Sequence, residues 1–85
     1  MKKFFEASIS VKFVKDAKNG NMSIMLTNHT SFDFDLKYKG RLIRVPALGS
    51  TITSMKKQST LVLTVDNMYH IDYLHPTFEV KVLGM

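Results

Sequence analysis

The sequence predicts an all-β fold: an antiparallel β-sandwich of about seven strands, with a small β-barrel as the alternative. Three observations predict it. Apolar and polar residues alternate with period two along several segments, the mark of half-buried strands. Turn signals built on Gly, Pro, Asn and Asp separate those segments at intervals of roughly 8–12 residues, as in small sandwiches and barrels. Finally, no stretch sustains the i, i+3, i+4 apolar spacing of a helix. With 85 residues and no internal repeat or low-complexity segment, the chain reads as one domain, residues 1–85. A domain of this size buries only about 60% of its unfolded surface, so its core is modest.

The first strand places Phe5, Ala7, Ile9, Val11 and Phe13 on one face and Glu6, Ser8, Ser10 and Lys12 on the other. Asn19-Gly20 follows, a strong hairpin signal because both residues tolerate positive φ. Met22, Ile24 and Leu26 form the inward face of the next strand. A two-residue loop at Asn19-Gly20 sets Phe13 opposite Leu26 and Val14 opposite Met25. Phe32, Phe34, Leu36 and Tyr38 then alternate with Asp33, Asp35, Lys37 and Lys39, and Gly40 permits a tight turn into Arg41–Val45. With Lys39-Gly40 as that loop, Phe34 faces Val45 and Leu36 faces Ile43 inside, while Asp35 meets Arg44 outside.

Pro46 ends this strand by removing a ladder donor, and Gly49-Ser50 makes the next corner. Residues 51–58 read as a short edge strand and loop, with Ile52 the clear apolar anchor ahead of Met55. Leu61, Leu63 and Val65 open a further strand. A two-residue Asp66-Asn67 loop would oppose His70 to Leu63 and mismatch the faces. A three-residue loop, Asp66-Asn67-Met68, pairs Val65 with Tyr69, Leu63 with Ile71 and Leu61 with Tyr73. After Pro76, Phe78, Val80 and Val82 supply the last inward face.

Composition narrows the function classes. The absence of cysteine excludes a disulfide scaffold and any thiolate-ligated metal. Twelve Lys/Arg against seven Asp/Glu give a net charge of +5, which favours solubility and anionic surfaces without naming a partner. The basic start at Met1-Lys2-Lys3 is followed by Glu6, Ser8, Ser10 and Lys12, so no signal peptide is read. The apolar runs are triplets, such as Ile24-Met25-Leu26, far below the roughly 20 residues of a membrane span. Asn21-Met22-Ser23 and Asn28-His29-Thr30 fit the glycosylation triplet and, without a secretory signal, read as coincidence.

Four constellations carry possible chemistry. His70 and Asp72 share a strand face, with His75 nearby and His29 distant in sequence; imidazole and carboxylate together can hold a divalent ion. Strand alternation sends His75 to the other face, so the expectation is no metal and no cofactor. No nucleophile elbow, phosphate-cradling glycine loop or paired-carboxylate motif is present, and no catalytic residue is assigned. The hairpin cluster Lys37, Lys39, Arg41 and Arg44, beside Tyr38, could neutralise phosphates and stack a base. Against that, Tyr38 continues the inward face and lysines at a hairpin tip also discourage edge-to-edge pairing. Phe4, Val14, Met25, Val62 and Leu83 are apolar residues on otherwise polar faces; where they converge, they mark a contact with another protein.

Leu26-Thr27-Asn28-His29-Thr30, then Leu36-Lys37-Tyr38-Lys39-Gly40, then Ile43-Arg44-Val45-Pro46-Ala47, then a Ser/Thr stretch before Thr60-Leu61-Val62-Leu63, form a rhythm across residues 22–65. It resembles the small immunoglobulin-like β-sandwiches of tailed-bacteriophage particles. The resemblance implies a capsid or tail decoration role, binding without catalysis, a virion location (otherwise cytoplasmic), and a major structural protein as partner. It transfers no site residue. Tyr69 or Tyr73 would serve as its tyrosine corner, although the Trp and Cys partners usual there are missing. The leading expectation is therefore a non-enzymatic structural or binding module of a larger protein assembly. The alternative is a small phage-type inhibitor or accessory protein that binds a host protein or nucleic acid through the basic hairpin.

Overall fold

A computed structural model describes residues 8–68 and 77–85. Seven strands are present there: β1 (Ile9–Asp16), β2 (Asn21–Asn28), β3 (Phe34–Tyr38), β4 (Arg41–Val45), β5 (Ser50–Lys56), β6 (Thr60–Met68) and β7 (Thr77–Leu83). They form one sheet in the order β4-β3-β6-β7-β1-β2-β5. The sheet folds over into two layers, β1-β2-β5 against β4-β3-β6-β7, so the all-β sandwich is realised in a nearly closed, barrel-like form. Successive elements cross between layers after β2, β4 and β5. The layers join through a parallel ladder, Val11 beside Val82 and Lys12 beside Leu83, which makes the sheet mixed rather than wholly antiparallel.

The inward faces follow the period-two pattern. Val11, Met22, Ile24, Leu26, Phe34, Leu36, Val45, Leu61 and Leu63 have no solvent exposure, and Ile9, Tyr38, Ile43, Met55, Val65, Phe78, Val80 and Val82 are buried around them. Each such side chain contributes about 1.5–3 kcal/mol through burial. In the β3–β4 hairpin the expected register holds throughout: Phe34 pairs with Val45, Asp35 with Arg44 and Leu36 with Ile43. Its turn fits, since Lys39 (φ 47°) and Gly40 (φ 80°) both take the left-handed conformation that a tight two-residue loop requires.

The first hairpin differs from expectation in an instructive way. Its loop is three residues, Lys18–Gly20, closed by the Ala17 N–H donating to the Asn21 carbonyl at 2.9 Å. One extra loop residue alone would turn every side chain of β1 to the wrong face. A β-bulge between Phe13 and Lys15 adds a second shift and restores the inward set. Phe13 thus pairs with Ile24, Val11 with Leu26 and Met25 with Lys12, in place of the expected Phe13–Leu26 and Val14–Met25 pairs. Val14 is the residue left over at the bulge.

Three further expectations are corrected. Asp66, Asn67 and Met68 do not form a loop: they extend β6, where Asn67 lies opposite Asp35 and Met68 opposite Phe34. The strand beside β6 is β7, with Leu61 opposite Val80 and Leu63 opposite Phe78; the expected partners Tyr69, Ile71 and Tyr73 lie outside the described residues. In β5, Met55 is the buried anchor while Ile52 points outward at 65% exposure. Strand parity explains it, because residues three apart face opposite sides.

The corner after β4 is Pro46–Gly49, with the Gly49 N–H donating to the Pro46 carbonyl at 3.0 Å. Leu48 takes the left-handed conformation there (φ 54°) and is 73% exposed. A branched side chain in that conformation costs about 1–2 kcal/mol. Leu48→Asn, which relieves part of that strain, is expected to stabilise the domain by up to about 1 kcal/mol. A urea-denaturation midpoint that falls would show that Leu48 packs where exposure says it does not.

Behind this corner lies a buried polar knot. Asn28, 1% exposed, donates its side-chain amide to the Phe32 carbonyl (2.5 Å) and the Val45 carbonyl (3.2 Å). Its side-chain oxygen accepts from the Thr30 N–H (2.9 Å) and hydroxyl (2.7 Å). One residue thereby fixes the crossing from β2 to β3 and ties it to the end of β4. The second glycosylation triplet is consequently a turn motif whose amide is enclosed.

Candidate functional site

The ladders carry one row of residues across the outer face of β7-β1-β2-β5: Leu83 beside Lys12, Lys12 beside Met25, Met25 beside Ile52. Its span is about 14 Å, three inter-strand spacings. Leu83 (56%) and Ile52 are exposed and Met25 is half-buried. Val14, exposed and unpaired at the bulge, stands two residues along β1 from Lys12. Two of the five sequence-predicted contact residues, Met25 and Leu83, are thus brought into one row, with Val14 exposed at the bulge near it.

Val62 and Phe4 are not shown to join them. Val62 is exposed on β6 opposite Glu79, which stands four residues, roughly 13 Å, from Leu83 along β7. Phe4 lies outside the described residues. Ile52, which the sequence marks as the apolar anchor of its strand, adds an outer residue that the sequence reading does not assign to this face. The parity of Thr51, Thr53 and Met55 against Ile52 was the signal that finds it.

The basic hairpin is partly engaged within the fold. Arg44 grips Asp35 with both arms of its guanidinium, at 2.7 and 3.0 Å. The hydrogen bond to Asp35, then its charge, raises the Arg44 pKa further above its already high ordinary value. Arg41 reaches across to β5, its Nη2 donating to the Thr53 hydroxyl at 2.7 Å and the Ser54 carbonyl at 3.0 Å. The Lys39 ammonium sits 5.5 Å from the centre of the Tyr38 ring. Tyr38 itself is only 8% exposed, and its hydroxyl accepts from the Gln58 amide. Lys37 is exposed on the outer face of β3 beside Leu42. The four cations therefore do not form one free stripe, and Tyr38 offers no open stacking face.

His70, Asp72 and His75 lie outside the described residues. Among the described residues no three His, Asp or Glu side chains gather as a metal site. His29 instead shares a hydrogen bond with the Ser10 hydroxyl at 2.9 Å. No helix among the described residues is long and apolar enough to cross a membrane.

Comparison of the chain with protein-family models, with curated proteins and with solved structures yields no match.

Proposed function

We propose that this chain is a non-enzymatic binding module that docks onto a larger protein assembly through the outer face of β7-β1-β2-β5. The single observation that carries the reading is the row Leu83–Lys12–Met25–Ile52, with Val14 beside it, on a face whose inward side is already a filled core. Apolar side chains on three strands, Leu83, Met25 and Ile52, with the Lys12 stem between them, offer a flat surface from which water can be excluded, and methionine adapts to a facing contour. On the resemblance of residues 22–65 to phage sandwiches, the assembly is a virus particle and the partner its major structural protein.

The triple substitution Val14→Glu, Met25→Glu, Ile52→Glu tests it. All three side chains point away from the core, so circular dichroism and the urea midpoint are expected to stay near those of the parent, within about 1 kcal/mol. Co-sedimentation with particles from the source is expected to be lost. A folded triple variant that still co-sediments at the parental level would overturn the proposed surface.

A further inference from the structure

We infer that the open seam between β4 and β5 is a binding site for a phosphate monoester carried on a flat apolar body, that is, a nucleotide-type anion. The two edge strands are joined there by side chains rather than by a backbone ladder: Arg41 bonds Thr53 and Ser54, and the Thr51 hydroxyl donates to the Arg44 carbonyl at 2.6 Å. Beside the Arg41 bridge is an open depression of about 220 Å³ lined by Tyr38, Lys39, Arg41, Ser54, Met55 and Lys56. Among the described residues three cations line it and no carboxylate does. Asp16 is bonded to Lys57, Asp35 to Arg44, and Asp33 accepts from the Ala47 N–H, all away from the depression.

Charge of one sign in a concavity with apolar walls concentrates the field on an incoming anion. Arg41 is held in place because both of its bonds use Nη2, and the Nε and Nη1 hydrogens remain to donate singly to an incoming anion. One carboxylate balances one of the three cations; a phosphate monoester brings nearly two charges and three acceptor oxygens. The largely buried Tyr38 and Met55 show the depression an apolar wall, against which the edge of an attached apolar group can rest without stacking on the Tyr38 ring. The site keeps Lys39 and Arg41 of the hairpin cluster, omits Lys37 and Arg44, and adds Lys56, which stands 15 positions further along the chain than Arg41. It shares no residue with the proposed docking face and stands independently of it.

An amide NMR titration of the intact chain tests the site, with adenosine monophosphate, inorganic phosphate, an oligothymidylate and an oligoglutamate as separate probes. Adenosine monophosphate is expected to move the resonances of Tyr38, Ser54 and Met55 and to bind more tightly than inorganic phosphate. The double variant Lys39→Glu, Lys56→Glu is expected to weaken it by about tenfold or more. Lys81→Glu, which makes the same kind of change on exposed β7, is expected to leave it unchanged. Binding of adenosine monophosphate at least as tight as that of oligothymidylate, whose internal phosphodiesters carry one charge each, supports the monoester site; tighter binding of oligothymidylate overturns it. Absence of shifts at the seam, an equal loss in Lys81→Glu, or preference for inorganic phosphate or oligoglutamate overturns the proposal.

Discussion

Phe34→Ala is expected to destabilise the domain by about 3–5 kcal/mol, the usual cost of emptying a fully buried aromatic site. Phe34 has no solvent exposure and lies between two ladders, opposite Val45 on β4 and Met68 on β6. Its loss therefore opens a cavity where β3 is held from both sides. Domains this small seldom have more than about 3–5 kcal/mol of stability from a single core. Much of the population should then be unfolded at room temperature, visible as lost amide dispersion in NMR. Phe34→Leu, which retains most of the volume, should cost far less. A Phe34→Ala protein whose urea midpoint drops by the equivalent of less than about 1 kcal/mol would place the centre of the core elsewhere.

Asn28→Ala is the second large effect, expected at about 2–4 kcal/mol although the side chain removed is small and polar. The cost comes from what it leaves behind. The Val45 carbonyl loses its side-chain donor and the Thr30 N–H loses its acceptor, while the Phe32 carbonyl and Thr30 hydroxyl keep only their 3.2 Å bond to each other, in a part-buried turn. Asn28→Asp separates the two halves of the knot. It keeps the acceptor for Thr30 but turns a carboxylate toward two carbonyls, so it should be at least as damaging at neutral pH. Hydrogen exchange at the Thr30 amide should accelerate in Asn28→Ala. Stability within about 0.5 kcal/mol of the parent would show that the crossing from β2 to β3 is held by other contacts.

These residues also show what the sequence made legible. The β3–β4 hairpin was readable to the individual pair because turn chemistry and face alternation demand the same register at Lys39-Gly40. At Asn19-Gly20 the same logic chose the right faces with the wrong partners. A longer loop and a bulge shift the register by two residues together, and period-two alternation is blind to a shift of two. Val14 was the visible trace, an apolar residue out of phase beside Phe13. The β1–β7 ladder left no local trace, since it joins the first strand to the last and has no turn of its own. The end of β6 was misread for a related reason: Asp66 and Asn67 are turn-forming types, yet pairing with Asp35 and Phe34 on β3 holds residues 67 and 68 in a strand. Asn28 stands out in the sequence only as part of a glycosylation triplet, because nothing in the pattern says that a polar residue ending a strand faces inward.

The candidate surfaces followed the same division. Met25, Leu83 and Val14 were identifiable one by one as apolar residues on polar faces. The assembly of Met25 and Leu83 into a row with Ile52 required the order β7-β1-β2-β5, which is a property of the sheet and not of any one segment. Likewise Lys56 joins Lys39 and Arg41 only because the two edge strands meet at the seam.

The central claim is the docking face, and its most direct test is capture of the tagged chain from its source lysate after nuclease treatment, parent and triple-Glu variant side by side, with the recovered proteins quantified by mass spectrometry. The account predicts one abundant structural partner in fixed stoichiometry with the parent, unaffected by nuclease and absent from the variant. Equal recovery of that partner by both forms, or its disappearance on nuclease treatment, would contradict it.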